Sequence, residues 1–134
     1  MTIKRVNIPI KPKSKPRGQI GKYGNMTHGM GGYMEWQQQF FYHLTVAKFE
    51  IPDNLYALIY HFLMVKQGGN PPDLDNMAGG VNDVLVKYEY LKDDNWKILP
   101  RLFVYGTQSQ KSGIVIYTCQ TKQEFLHIIS EFSC

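Results

Sequence analysis

Apolar positions along the chain recur with two different periods, and the switches between them mark out the elements. Residues 3–8 alternate loosely, with Ile3, Arg5 and Asn7 against Lys4, Val6 and Ile8, as a short strand. From Tyr33 to Lys48 the period lengthens. Tyr33, Trp36, Phe40, Leu44 and Ala47 recur at three or four, while Glu35, Gln37, Gln38 and Gln39 cover other faces, which predicts a helix. Pro52-Asp53-Asn54 makes a turn. Leu55 to Val65 is apolar at nearly every position, the composition of a strand covered on both faces at the centre of a sheet. After Pro71-Pro72 a second helix places Met77, Val81, Val84, Leu85 and Tyr88 on one side, and Asp75, Gly79, Asn82 and Asp83 on the other. Trp96 to Tyr105 and Ile114 to Thr118 read as two strands, paired as a hairpin around Gly106 to Gly113. Pro100 cannot donate to a ladder, so the first of them belongs at an edge or carries a bulge. Thr121-Lys122-Gln123-Glu124 opens a last helix as a capping box, with Phe125, Ile128, Ile129 and Phe132 as its apolar face. The predicted order is β-α-β-α-β-β-α, a small α+β domain with a mixed sheet. At 134 residues without an internal repeat, the chain is expected to form one domain over residues 1–134.

Composition narrows the class. A hydrophobic share of 43% is enough for a packed core and excludes a disordered chain. The longest apolar run, Leu55 to Val65, is about half the length of a membrane span and is interrupted by His61. No apolar signal segment opens the chain, and Cys119 and Cys134 show neither metal nor redox spacing, so a reducing cytoplasm is expected. His28, His43, His61 and His127 are scattered and read as packing or surface residues rather than zinc ligands.

Charge changes the picture more. The net value is only +4, yet residues 1–34 hold Lys4, Arg5, Lys11, Lys13, Lys15, Arg17 and Lys22 and no acid. Pro9 to Arg17 is an extended, proline-stiffened basic segment, and the next fifteen residues carry six glycines. Residues 9–32 are thus expected to form a mobile basic arm or loop in which Lys11, Lys13, Lys15, Arg17 and Lys22 neutralise phosphates. A phosphate-cradling loop is excluded, since no Gly-Lys-Ser/Thr ends the run.

The acids cluster elsewhere, at Asp73, Asp75, Asp83, Glu89, Asp93 and Asp94. The prolines delay helix until after Pro72, so Asp73 and Asp75 fall at a loop-to-helix junction where Asp75 or Asn76 is suited to cap. A return from that helix would bring Asp94 back to them and make a set of hard oxygen ligands for Mg²⁺ or Mn²⁺. A calcium loop is excluded by spacing: its sixth position is Ala78 and its twelfth is Val84. A cap for the first pair and a turn for the second remain the plainer alternatives.

Pro72-Asp73-Leu74-Asp75-Asn76, then Asp83-Val84-Leu85, then Lys92-Asp93-Asp94, resembles the RusA-type Holliday junction resolvases, small dimeric endonucleases that cut branched DNA with Mg²⁺. Lys15-Pro16-Arg17 is similar to a basic stretch after the first strand of many members. The resemblance implies a RusA-like fold, with Asp73, Asp75 and Asp94 as catalytic and metal-binding carboxylates and Mg²⁺, or Mn²⁺ in its stead, as the only cofactor. It further implies a homodimer and a Holliday junction or related branched DNA as substrate, in recombination and repair. The catalytic lysine of the family falls at Gly79, so another cation, Lys92 first, is expected to take its role. The alternatives are a junction-binding protein with weak or no cleavage, and a fold in which the acids are purely structural.

Overall fold

The computed structural model describes residues 4–16, 19–20, 26–27, 30–66, 69 and 71–132. In chain order the elements are β1 (Lys4–Ile8), β2 (Gln19–Ile20), β3 (Met26–Thr27), α1 (Met30–Val46), β4 (Ala57–Met64), α2 (Leu74–Lys87), β5 (Leu102–Gln108), β6 (Gly113–Cys119) and α3 (Lys122–Phe132). β2 and β3 pair with each other as a small antiparallel ribbon inside the glycine-rich stretch. The other four strands form one mixed sheet in the order β1-β6-β4-β5. β4 runs parallel to β5 and antiparallel to β6, and β6 is antiparallel to β1. The α+β class with a mixed sheet and three helices therefore stands, in a single unit.

Alternation along the strands explains why β4 reads as apolar throughout. Leu58, Tyr60 and Phe62 join Ile114 and Ile116 of β6 on the face covered by α1 and α2. Ala57 and Ile59, with Val115, Tyr117 and Cys119, point to the other face, where Ile128, Phe125 and Phe132 of α3 close over them. Phe132 lies nearly parallel to Tyr105 with ring centroids 4.8 Å apart. His61 belongs to this second layer, bonded through Nε2 to the Thr107 hydroxyl at 2.8 Å and packed edge-on against Phe132. Half of the capping box of α3 forms, with the Glu124 amide donating to the Thr121 hydroxyl, while the Glu124 carboxylate accepts from the amide of Gln120, one residue before the cap.

Two expectations are corrected. β5 and β6 do not form a hairpin. β4 lies between them, because the short stretch 109–112 arcs over the end of β4, where the Ser109 amide donates to the Met64 carbonyl at 2.8 Å. Residues 96–98 are not strand either. The Asn95 side-chain oxygen accepts from the amides of Lys97 and Ile98, and its carbonyl accepts from Ile98 and Leu99, which winds the chain into a turn. The strand starts only at Leu102, past Pro100, and β5 is indeed an edge strand.

Candidate active site

The polar side of α2 is where the chemistry-bearing residues meet. Its apolar side (Met77, Ala78, Val81, Val84 and Leu85) is buried against the sheet, which leaves Asp75 exposed and Gly79, Asn82 and Asp83 half-buried. The helix starts sooner than its capping residues suggest. Asp73, not Asp75 or Asn76, is the N-cap: its carbonyl accepts from the Met77 amide, while its carboxylate makes no capping bond. Pro72 is the last residue held out of helix, so the first one free to turn takes the cap. Asp75 accepts from the amide of Asn76 at 2.9 Å. Both carboxylates are exposed, beside a cleft of about 400 Å³ lined by Met64, Pro72, Leu74, Met77, Gly106 and Thr107.

The basic segment comes to the same helix. Residues 9–16 run extended across it, with the Lys15 amide bonded to the Asn76 carbonyl at 2.9 Å. The Lys11 carbonyl accepts from the Trp36 indole at 2.8 Å, so α1 holds the other end of the segment. At its centre the Lys13 carbonyl passes so close to Gly80 that a Cβ there would sit 2.7 Å away. The Lys15 stem lies over Gly79, its Cδ 3.4 Å from where a Cβ would stand. The Lys15 ammonium, about half exposed, reaches Asp83 Oδ1 at 3.2 Å. Tyr33 of α1 donates to the other oxygen of the same carboxylate at 2.8 Å. Burial of Tyr33, reinforced by that bond to Asp83, holds its hydroxyl well above the ordinary tyrosine value. Arg17 and Lys22 lie outside the described residues.

Asp94 lies in the loop after α2. The Tyr60 hydroxyl, fully buried under α2, donates to Asn82 Oδ1 at 2.5 Å. Burial raises its pKa far above the usual range, and the negative charge of Asp94 raises it further. Asp93 accepts from the Asp94 amide and from the Asn95 side chain, in that order of effect, and both lower its pKa. Lys92 is exposed and borders Val86, Glu89 and Leu91 at the C-terminal end of α2.

As donors, Asp73, Asp75 and Asp94 have the hard oxygen chemistry that Mg²⁺ takes. Among the described residues, no group of three or more acidic, histidine or cysteine side chains gathers closely enough to hold a metal ion. Asp73 and Asp75 sit together at the N-terminal end of α2, whereas the charge of Asp94 is felt at Tyr60. Sequence reasoning missed Asp83 as the common partner of Tyr33 and Lys15, and the close pass of Lys13 over Gly80. The adjacent glycines within an otherwise regular helix were the available signal, since a pair of glycines there costs about 1 kcal/mol each relative to alanine. No protein-family model matches the chain, and no curated protein matches it in sequence.

Proposed function

We propose that this protein is a structure-selective, Mg²⁺-dependent endodeoxyribonuclease with a RusA-like fold, acting as a homodimer on Holliday junctions or related branched DNA. The observation that carries the reading is the convergence, on one helix, of two things the sequence keeps apart. The exposed carboxylates Asp73 and Asp75 open α2, and the basic segment is bonded to its first turn at Asn76. A basic strap beside exposed carboxylates suits a substrate that brings phosphates and a reaction that needs a cation among them. In this reading Asp73, Asp75 and Asp94 would hold Mg²⁺, which supplies polarisation of the phosphate and of water. Lys11, Lys13, Lys15 and, beyond the described residues, Arg17 and Lys22 contact the DNA backbone. A second reading, binding of junctions with little or no cleavage, is favoured by Gly79, which has no side chain where the family pattern carries lysine.

The test is single-turnover cleavage of a synthetic four-way junction with and without Mg²⁺, for the wild type and Asp75→Asn. Cleavage by the wild type alone, with Asp75→Asn binding the junction as well or better, is the expected result. Removing one negative charge weakens the hold on a cation and lessens repulsion of phosphate. Cutting by Asp75→Asn at the wild-type rate would refute the assignment. Junction-selective binding without cutting would turn the conclusion to the second reading.

A further inference from the structure

The most unusual packing in the molecule is a backbone laid directly on a helix. Gly80 has the Lys13 carbonyl 2.7 Å, and the Trp36 ring 3.4 Å, from where its Cβ would be. Real Cβ atoms do not approach a carbonyl oxygen so closely, so any other residue at position 80 pushes the strap away. Gly79 one position earlier has the Lys15 stem at ordinary contact distance, 3.4 Å, from where its Cβ would be. Bonds at both ends, Trp36 to the Lys11 carbonyl and the Lys15 amide to the Asn76 carbonyl, hold the strap in that seat. The sequence accepts two poor helix formers in the middle of α2, and the structure shows what occupies the space they leave.

One cation is placed by this arrangement. The Lys15 ammonium has three donors and Asp83 Oδ1 engages it on one side, while the side chain stays about half exposed on the polar face of α2. The other described lysines near the helix are engaged or placed elsewhere. Lys13 carries its ammonium to Gly32 of α1, Lys87 donates to Gln37 and lies over the Tyr88 ring, and Lys92 borders the C-terminal end. We infer that Lys15, seated by the close pass of the strap over Gly80, is the cation that contacts the scissile phosphate on the acidic face of α2. This rests on the proposed endonuclease activity. In the hydrolysis a water oxygen bonds to phosphorus, the bond from phosphorus to one sugar oxygen breaks, and the water proton ends on that oxygen. Lys15 keeps its own protons and opposes the negative charge that grows on the non-bridging oxygens.

The experiment combines three variants with three readouts. Lys15→Ala is expected to slow single-turnover junction cleavage by about 10²-fold, the scale for losing one charge-stabilising group. Gly79→Lys placed in that background, where the space over the helix is open, is expected to recover part of the rate. Gly80→Ala is expected to slow cleavage as much as Lys15→Ala with Lys15 still present. In a Trp96→Phe background the same change should open Trp36, now 7% exposed, to iodide quenching of its fluorescence. Salt dependence of junction affinity, measured without divalent cations, gives the third readout. Lys15→Ala should lower its log–log slope by about 0.9, one phosphate contact on duplex arms. If Lys15→Ala cuts at the wild-type rate while Asp75→Asn does not cut, the endonuclease reading stands and the assignment of Lys15 falls. If no variant and no wild type cuts, the endonuclease reading falls, and the assignment of Lys15 to a scissile phosphate falls with it. An unchanged salt slope overturns the phosphate contact under either result.

Discussion

Asp83 ties α1, α2 and the basic strap together, and its two bonds should differ sharply in energy. One carboxylate oxygen accepts from Tyr33, a residue only 5% exposed, at 2.8 Å. The other meets Lys15, whose side chain is 52% exposed, at 3.2 Å. A hydrogen bond to a charged group contributes about 1.5–3 kcal/mol, whereas exposed ion pairs contribute about 0–1 kcal/mol because water and salt screen them. Asp83→Ala should therefore destabilise the fold by about 2–3 kcal/mol, mostly by leaving the Tyr33 hydroxyl buried without its acceptor. In a Tyr33→Phe background the same substitution should cost only about 1 kcal/mol or less, since the hydroxyl is already gone. The double-mutant cycle of Tyr33 with Asp83 should yield a coupling of about 1–2 kcal/mol, and that of Lys15 with Asp83 below about 0.5 kcal/mol. Urea unfolding followed by circular dichroism measures both, provided the slope with denaturant is unchanged among variants. A Lys15 coupling equal to or above that of Tyr33 would refute the reasoning, because it would make the exposed pair the anchor of the strap.

Two further outcomes are expected. Changing Lys11, Lys13 and Lys15 together to Gln should weaken junction binding and lower the log–log salt slope by about 0.9 for each phosphate the strap no longer neutralises; an unchanged slope would make the strap a structural element alone. In an alkaline titration followed by ultraviolet absorbance, Tyr33 and Tyr60, two of the nine tyrosines, should ionise only as the fold is lost. Their folded pKa values are raised above the unfolded value of about 10, so the stability they contribute is fully present below that pH and declines above it. Complete titration of all nine around the ordinary value with the fold intact would contradict their burial.

Much of the fold was legible because periodicity reports burial directly. The three helices and the central position of β4 follow from which residues must leave water, and Leu58, Tyr60 and Phe62 against Ala57 and Ile59 realise a strand apolar on both faces. Pairing was not legible in the same way. Turn-like residues between β5 and β6 suit a hairpin locally, yet the chain passes over β4 instead, because inserting β4 between them lets both edges of that apolar strand find partners. The start of β5 was set by the Asn95 side chain, a local bond that competes with strand and carries no periodic mark.

For the candidate site, the sequence by itself determined the residue types and their grouping along the chain: the Asp73–Asp75 pair after two prolines, Asp93-Asp94 beyond the helix, and a basic stretch free of acid. The exposure of Asp75 was also determined, since the buried side leaves it only one way to point, whereas the bond of Asn82 to the buried Tyr60 was not. Only the tertiary structure decided what lies on the polar side of α2. The strap is far from α2 in sequence, and its place over Gly79 and Gly80 depends on contact between a backbone and a helix surface that no local pattern encodes. It also decided that Asp83 binds Tyr33 and Lys15 at once, and that the charge of Asp94 acts on the buried Tyr60 hydroxyl. Local propensity and periodicity act over a few residues along the chain. A seat made by absent side chains and a carboxylate shared among three segments arise only when distant parts of the chain pack together.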